Sequence, residues 1–105
     1  MVDTQGVRHY LVHMIRSYRS KALRRFAEQG DASKLSVQNP ARIRRIILAL
    51  NAAATPEFMD QAGWRFHPLK GKDKGRYAVD ASGNWRITFG WDGKDAIDVD
   101  LEDYH

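Results

Sequence analysis

The residues Asp103, Tyr104 and His105 place a carboxylate, a phenol and an imidazole next to one another along the chain. They follow Ala96 to Leu101, where alternating apolar and acidic residues predict a β-strand. The ends of protein chains are usually disordered. Titratable groups at the end of a predicted strand are therefore either part of such a disordered end or part of a functional site. The rest of the sequence favours a site.

Further side chains suited to the same chemistry are those of His67, Lys70 and Arg86. An imidazole takes or gives a proton near neutral pH, and a guanidinium fits two phosphate oxygens at once. Cleavage within an RNA strand needs a base for the 2′-hydroxyl, an acid for the leaving 5′-oxygen and cations for the phosphorane charge. Tyr104 is suited to stack on a base or to donate to phosphate. These residues therefore predict acid–base chemistry on phosphate.

Each of these residues also has a simpler explanation. A lone histidine such as His67 is more often a structural residue than a ligand or a base. The loop at residues 70–75 is an ordinary polar hairpin loop without the Gly-Lys-Ser/Thr ending of a P-loop. Arg86 could pair with Asp98 or Asp100 across a hairpin. The combination is more specific than any single member.

The net charge of +4 conceals a separation of charge along the chain. Residues 16–45 carry nine Lys and Arg against two acidic residues, a second basic run surrounds residues 70–76, and residues 92–103 are mainly acidic. Clustered cations favour a polyanionic partner because they displace counterions from phosphates. For any single helix, a solvated basic face is the simpler interpretation. The candidate phosphate contacts are Arg24, Arg25, Arg42, Arg44, Arg45, Lys72, Lys74 and Arg76.

Length and composition indicate one small domain. With 105 residues, 43% of them apolar, the chain is long enough for a single core. It has no cysteine, which suits a reducing compartment, and no apolar run of membrane-spanning length, so we expect a soluble cytoplasmic protein. Residues 1–13 are predicted to be an appendage to a domain at 14–105. His9 and His13 are four residues apart, which would place both imidazoles on one face of a helix, where they could bind a metal. Because the sequence offers no third ligand, we expect an unstructured arm instead.

Local signals predict two helices. The first is Lys21–Gln29, with Ser20 as its N-cap and Gly30 after its C-terminus. The second begins after the Asn39-Pro40 cap and runs to about Ala53, with an apolar stripe facing inward. Its outward face carries Arg42, Arg44 and Arg45.

From Trp64 onward the apolar period changes to two, which predicts strands in 64–69, 76–81, 85–91 and 97–101. Asp92-Gly93 predicts a two-residue type I′ turn. With a first strand at Met14–Tyr18, the order is β-α-α-β-β-β-β. The chain is thus an α+β fold whose mainly antiparallel sheet has both helices on one face, leaving the face that carries His67 and Arg86 open.

Three motifs together carry a specific resemblance: His67-Pro-Leu-Lys-Gly71, Asn84-Trp-Arg-Ile-Thr-Phe89 and Glu102-Asp-Tyr-His105. With the opening Met14-Ile-Arg-Ser-Tyr18, residues 14–105 resemble the HigB-type toxins of the RelE superfamily. This resemblance implies a RelE-like fold and a ribosome-dependent endoribonuclease of a toxin–antitoxin pair that cuts mRNA in the ribosomal A site without a metal or other cofactor. It implies a HigA-like helix-turn-helix antitoxin, ribosomal 16S rRNA and mRNA as partners, with DNA reached only through the antitoxin.

The same resemblance implies an active site made of His67, Lys70, Arg86, Asp103, Tyr104 and His105. One position departs from the pattern, since Ser82 stands where the family often has a basic residue. This departure keeps open an alternative, a RelE-fold module that binds RNA or the ribosome without efficient cleavage. A DNA-binding regulator is disfavoured because the linker between the helices is long for a helix-turn-helix and no exposed recognition helix is evident.

Overall fold

The computed structural model of the protein describes residues 14–103, so the predicted appendage, with His9 and His13, lies outside it together with Tyr104 and His105. Over residues 14–103 neither helix has the apolar length that crossing a bilayer requires. The helices are α1 (Lys21–Gln29) and α2 (Pro40–Ala52), and the strands are β1 (His67–Pro68), β2 (Tyr77–Ser82), β3 (Trp85–Trp91) and β4 (Ala96–Asp103).

Both helices begin and end at local capping signals. The Ser20 hydroxyl accepts the N–H of Leu23, and Gly30 adopts a left-handed φ of 74° while its N–H bonds the Phe26 carbonyl. At α2, Asn39 accepts the N–H of Arg42 and Pro40 occupies the first turn. The predicted bounds of α1 are confirmed, and α2 ends one residue before the expected Ala53.

The strands form an antiparallel meander in the order β1-β2-β3-β4. One sheet face packs Val79, Ile87 and Phe89 against the buried helix residues Leu23, Phe26, Ile43, Ile46, Ile47 and Leu50. The rings of Phe66, Tyr77 and Phe89 stack in sequence at centroid distances of 5.6 and 5.5 Å. The predicted α+β architecture with both helices on one sheet face is confirmed.

The predicted first strand, Met14–Tyr18, is reduced to a single parallel bridge between Tyr18 and Val99. The segment still lies along β4, because Arg16 N–H donates to the Ala96 carbonyl and Arg19 N–H to the Val99 carbonyl, each at 2.8 Å. A longer ladder is interrupted because β4 has a bulge at Asp98, whose φ is 50°. The strand predicted over 64–69 is likewise shortened to His67–Pro68.

The β3–β4 connection differs from the predicted type I′ turn. It is a four-residue loop, 92–95, between Trp91 and Ala96. The Asp92 carboxylate accepts the backbone N–H groups of Lys94 and Asp95, at 3.2 and 2.9 Å. An aspartate that bonds the backbone two and three residues ahead stabilises a longer loop than an Asp-Gly pair alone suggests.

Arg16 ties the N-terminal segment to this loop through two carboxylates. Its guanidinium lies 3.0 Å from Asp95 and 3.2 Å from Asp92. The hydrogen bond from Arg16 is the main cause that holds the pKa of Asp95 below its usual value, with the Met14 N–H adding to it. The pKa of Asp92 is lowered mainly by the N–H groups of Asp95 and Lys94.

These lowered pKa values make stability depend on pH. A carboxylate whose folded pKa lies below its unfolded value of about 3.9 stabilises the fold above that pH and loses the contribution as the pH falls through the folded pKa. We therefore expect Asp95→Asn to lower the free energy of unfolding at pH 7 and to have a smaller effect at pH 3. Urea denaturation at both pH values measures this, with the exposed Asp60→Asn as control. An equal loss at both pH values would show that the charge of Asp95 is unimportant.

Candidate active site

His67 and Arg86 lie on the sheet face opposite the helices, as the alternation predicts. The register pairs His67 with Ala78 and Ala78 with Thr88, while Arg86 pairs with Asp80 on one side and Glu102 on the other. Since neighbouring strands are about 4.8 Å apart, β1 and β3 are separated by roughly 10 Å. This face therefore presents an imidazole on β1 and a guanidinium on β3, offset by two residues along the strands.

The ring of His67 has a fixed orientation. Its Nδ1 lies 2.8 Å from the carbonyl oxygen of Arg65. A carbonyl can only accept, so Nδ1 must carry the proton, and in the neutral ring Nε2 then has the lone pair. Arg65 itself has a left-handed φ of 53°, which is uncommon outside glycine. The half-buried His67 is thus arranged to accept a proton at Nε2.

Arg86 faces Glu102 across the β3–β4 pair. Its Nη2 lies 3.6 Å from Glu102 Oε1, and only 16% of the arginine side chain is exposed. The sequence offered Asp98 or Asp100 as a possible partner across the hairpin, whereas the register places Glu102 opposite Arg86. Arg86 therefore sits largely within the sheet face, with a small part of its side chain exposed.

The reason for the different partner is the strand register. A two-residue turn at Asp92-Gly93 would place Val99 opposite Arg86. The four-residue loop moves the register by two positions and the bulge at Asp98 by one more, so Glu102 arrives there. Neither the loop length nor the bulge follows from the alternation of apolar residues alone.

A hydrogen-bonded chain continues from Glu102 into the sheet. The Thr88 hydroxyl donates to Glu102 Oε2 at 2.6 Å and accepts from Arg76 Nη2 at 2.9 Å. The same Nη2 donates to the Asp98 carbonyl at 2.9 Å. Thr88 is fully buried, and its bond with Arg76 is buried, whereas the bonds to Glu102 and to the Asp98 carbonyl are part-buried. The sequence analysis did not identify Thr88 and Glu102 as site residues. The alternation of the strands, which puts both on the same sheet face as Arg86, was the signal that could have indicated them.

Arg76 is not the surface loop cation that the sequence predicted. Its residue is 9% exposed, and burial lowers the pKa of its guanidinium, with the charge of Arg19 as a second cause. An arginine remains protonated even so. Gly90 packs beside it: a Cβ at that position would make an ordinary contact with Arg76 Nη1 at 3.7 Å and a tight one with Ile97 at 3.2 Å. Arg76 therefore belongs to the interior of this sheet face.

The remaining candidates flank this face. Lys70 precedes a 3-10 turn at Gly71–Asp73, and Lys70, Lys72 and Lys74 are all exposed or partly exposed. Asp103 is exposed at the end of β4, paired across the sheet with Trp85. Tyr104 and His105 lie beyond the described residues, so their proposed roles stay predictions.

A shallow polar cavity of about 250 Å³ adjoins Asp103. Its lining includes Ser82, Asn84 and Trp85 of the β2–β3 hairpin, with Ser36 and Gln38 from the helix connection. Ser82 is the position where a basic residue was expected. Between residues 14 and 103 no group of three His, Asp or Glu side chains is placed to hold a metal ion.

Comparison with known proteins connects this geometry to a family. Residues 16–105 match the family model described as the RelE-like toxin of the type II toxin–antitoxin system HigB. The chain belongs to the HigB-like toxins. It is also 34% identical over 92 residues to the endoribonuclease HigB of Proteus vulgaris, an alignment that spans 88% of this chain and all of that protein. The predicted family is confirmed, and membership of a type II toxin–antitoxin family implies an antitoxin partner.

The helix arginines of this HigB-like toxin lie on the other side of the sheet. Arg24 pairs with Glu28 at 3.2 Å, Arg25 lies 3.5 Å from Asp31, and the Arg44 guanidinium stacks over the Phe26 ring at 4.9 Å. Arg45 is also exposed. These four residues form an exposed basic surface, defined here as the helix arginines.

Arg42 differs from the outward-facing cation that the sequence predicted. Its Nη2 donates to the Gly63 carbonyl at 2.7 Å, and its guanidinium also reaches the Asp80 carbonyl at 3.4 Å. The side chain leaves the helix surface because these carbonyls, on the loop before β1 and on β2, offer acceptors that solvent would otherwise supply. Arg42 thus joins α2 to the sheet.

This role predicts that Arg42→Ala lowers the free energy of unfolding by roughly 1–2 kcal/mol, because the variant loses hydrogen bonds from a charged donor. Arg45→Ala, at an exposed position on the same helix, should change stability by less than about 0.5 kcal/mol. Urea denaturation of both variants gives the comparison. Equal stabilities would mean that Arg42 does not join the helix to the sheet.

Proposed function

We propose that this toxin is a ribosome-dependent, metal-independent endoribonuclease that cleaves mRNA and so inhibits translation. The observation that carries the proposal is the alignment of this chain with the whole of a relative named endoribonuclease. The sheet face supports it, because it carries a base-competent imidazole and a partly exposed guanidinium, with lysines on the adjoining loop.

The chemistry is attack of a 2′-hydroxyl on the adjacent phosphate, followed by loss of the 5′-oxygen. His67, through Nε2, or His105 takes the 2′ proton, and the other gives a proton to the leaving oxygen. Arg86 and Lys70 stabilise the charge that develops on the phosphorane. Asp103 orients its neighbours, and Tyr104 stacks on a base or donates to phosphate.

The proposed partners follow from this function. A HigA-like helix-turn-helix antitoxin holds the toxin inactive and is its link to DNA. The helix arginines, with Lys72 and Lys74, contact 16S rRNA of the 30S subunit or the mRNA, because exposed guanidinium and ammonium groups bind phosphates. A protein with this substrate acts in the cytoplasm. Arg42 and Arg76 are left out of the binding surface because each is held by carbonyl or hydroxyl acceptors of the fold.

We expect Arg86→Ala to lower the rate of mRNA cleavage on programmed 70S ribosomes by about a hundredfold or more, since a charge-stabilising donor is removed from the transition state. Cleavage is measured by primer extension on the mRNA recovered from the ribosomes. Lys94→Ala, which removes one exposed cation from the β3–β4 loop, is the matched control. An Arg86→Ala protein that cleaves at the wild-type rate would remove the guanidinium from the mechanism.

The same assay separates the proposed function from its alternative. If the wild-type protein binds ribosomes but cleaves no mRNA, the protein is a binding module with the toxin fold.

The helix arginines predict a salt-dependent association with the ribosome. Arg24→Gln/Arg45→Gln should reduce the slope of log K against log salt by about 2, one for each phosphate that the variant no longer neutralises. The position at which mRNA is cut should not change, because these residues lie away from the sheet face. Sedimentation with 30S subunits at a series of salt concentrations measures the slope.

A control with the same change in net charge is Lys34→Gln/Lys94→Gln, which alters exposed lysines outside the proposed surface. An equal change in slope for both pairs would show that net charge alone, and not the helix arginines, governs association.

A further inference from the structure

We propose that Glu102 is a positioning residue that holds the Arg86 guanidinium in place for the phosphate, and that Thr88 and Arg76 hold Glu102. The proposal rests on the proposed function in so far as Arg86 contacts substrate. Its structural basis is the connected series Arg76–Thr88–Glu102–Arg86 on the sheet face opposite the helices.

The hydrogen positions in this series have one possible arrangement. Arg76 can only donate, so the Thr88 oxygen must accept from it. The ionised Glu102 carboxylate can only accept, so the Thr88 hydroxyl hydrogen must point to Oε2. The 2.6 Å distance of that bond is the length expected for a hydroxyl bound to a charged oxygen. Glu102 is therefore fixed through Oε2, which leaves Oε1 towards Arg86.

The far end of the series is anchored in the backbone. At the bulge, the Asp98 carbonyl accepts a hydrogen bond from Arg76 Nη2 at 2.9 Å. The Ser17 hydroxyl accepts the Asp98 N–H at 2.8 Å and donates to the Asp98 carboxylate at 3.2 Å. The N-terminal segment thus supports the bulge on which Arg76 depends.

The charges explain why a carboxylate is needed at position 102. Arg76 and Arg86 are both largely buried cations at opposite ends of the Thr88–Glu102 pair. A buried guanidinium is costly unless a carboxylate or other acceptor compensates it. The negative charge of Glu102 compensates this cost and also orients the Arg86 side chain. Because that side chain is already ordered before substrate binds, it loses less conformational entropy when the transition state forms.

The first test needs no nuclease activity. The exchange of the Arg86 Nη2 protons with water is followed by NMR, because Nη2 is the atom that faces Glu102, and the signal is identified by its loss in Arg86→Lys. We expect Glu102→Gln to accelerate this exchange by about fivefold, the upper range for a partly exposed ion pair. Glu28→Gln, which breaks the exposed pair with Arg24, is the matched control and should leave the Arg86 signal unchanged. Unchanged exchange in Glu102→Gln would overturn the proposal.

The second test asks whether Glu102 acts through Arg86. With saturating toxin on programmed ribosomes, Glu102→Gln should lower the single-turnover rate of mRNA cleavage by about tenfold, as expected for a misplaced catalytic group. In the Arg86→Ala background the same change should have no further effect. A full tenfold loss in that background would overturn the positioning role.

A second variant covers the case in which Glu102→Gln does not fold. Thr88→Val keeps the shape of the side chain but removes the hydroxyl, whereas Thr88→Ser keeps the hydroxyl. Faster Arg86 exchange in Thr88→Val than in Thr88→Ser supports the series, and equal exchange in both overturns it. If exchange responds as expected but the wild-type protein cleaves no mRNA, the proposed function fails while the positioning of Arg86 stands.

Discussion

The register of the β3–β4 pair is the constraint on which the candidate site depends. One extra residue at Asp98 shifts every later position of β4, so Glu102 stands opposite Arg86. The same bulge turns a backbone carbonyl towards Arg76 and offers its N–H to Ser17. A bulge changes the direction of nearby side chains and interrupts regular strand pairing, and both effects are present in β4. The bulge thus contributes both to the sheet face and to the contact with the N-terminal segment.

Arginine has several physical roles in this fold, which depend on what each guanidinium contacts. The helix arginines are exposed, so their contribution is long-range charge that salt can screen. Arg42 and Arg76 donate to backbone carbonyls and so join neighbouring elements. Arg86 lies between these cases, with a carboxylate behind it and 16% of its side chain exposed. A basic composition alone therefore overstates the surface that is available for nucleic acid.

Features set by nearby residues could be predicted from the sequence. The bounds of α1 follow from Ser20 and Gly30, and the helix stripes and strand alternation indicated the fold and the shared face of His67 and Arg86. The partner of Arg86 and the burial of Arg76 could not be predicted, because both depend on a loop length and a bulge that alternation does not encode. The first strand was overestimated for the same reason, since its pairing stops at the bulge.

The acidic character of β4 has a structural explanation in this arrangement. Glu102 compensates a guanidinium on the sheet face, and Asp98 bonds the docked N-terminal segment through Ser17. Asp92 and Asp95, in the loop before β4, hold Arg16. These carboxylates keep cations of the fold in place, while the helix arginines lie on the far side of the sheet. The acidic residues near the end of the described chain therefore hold Arg16 and Arg86, whereas the helix arginines are exposed on the far side of the sheet.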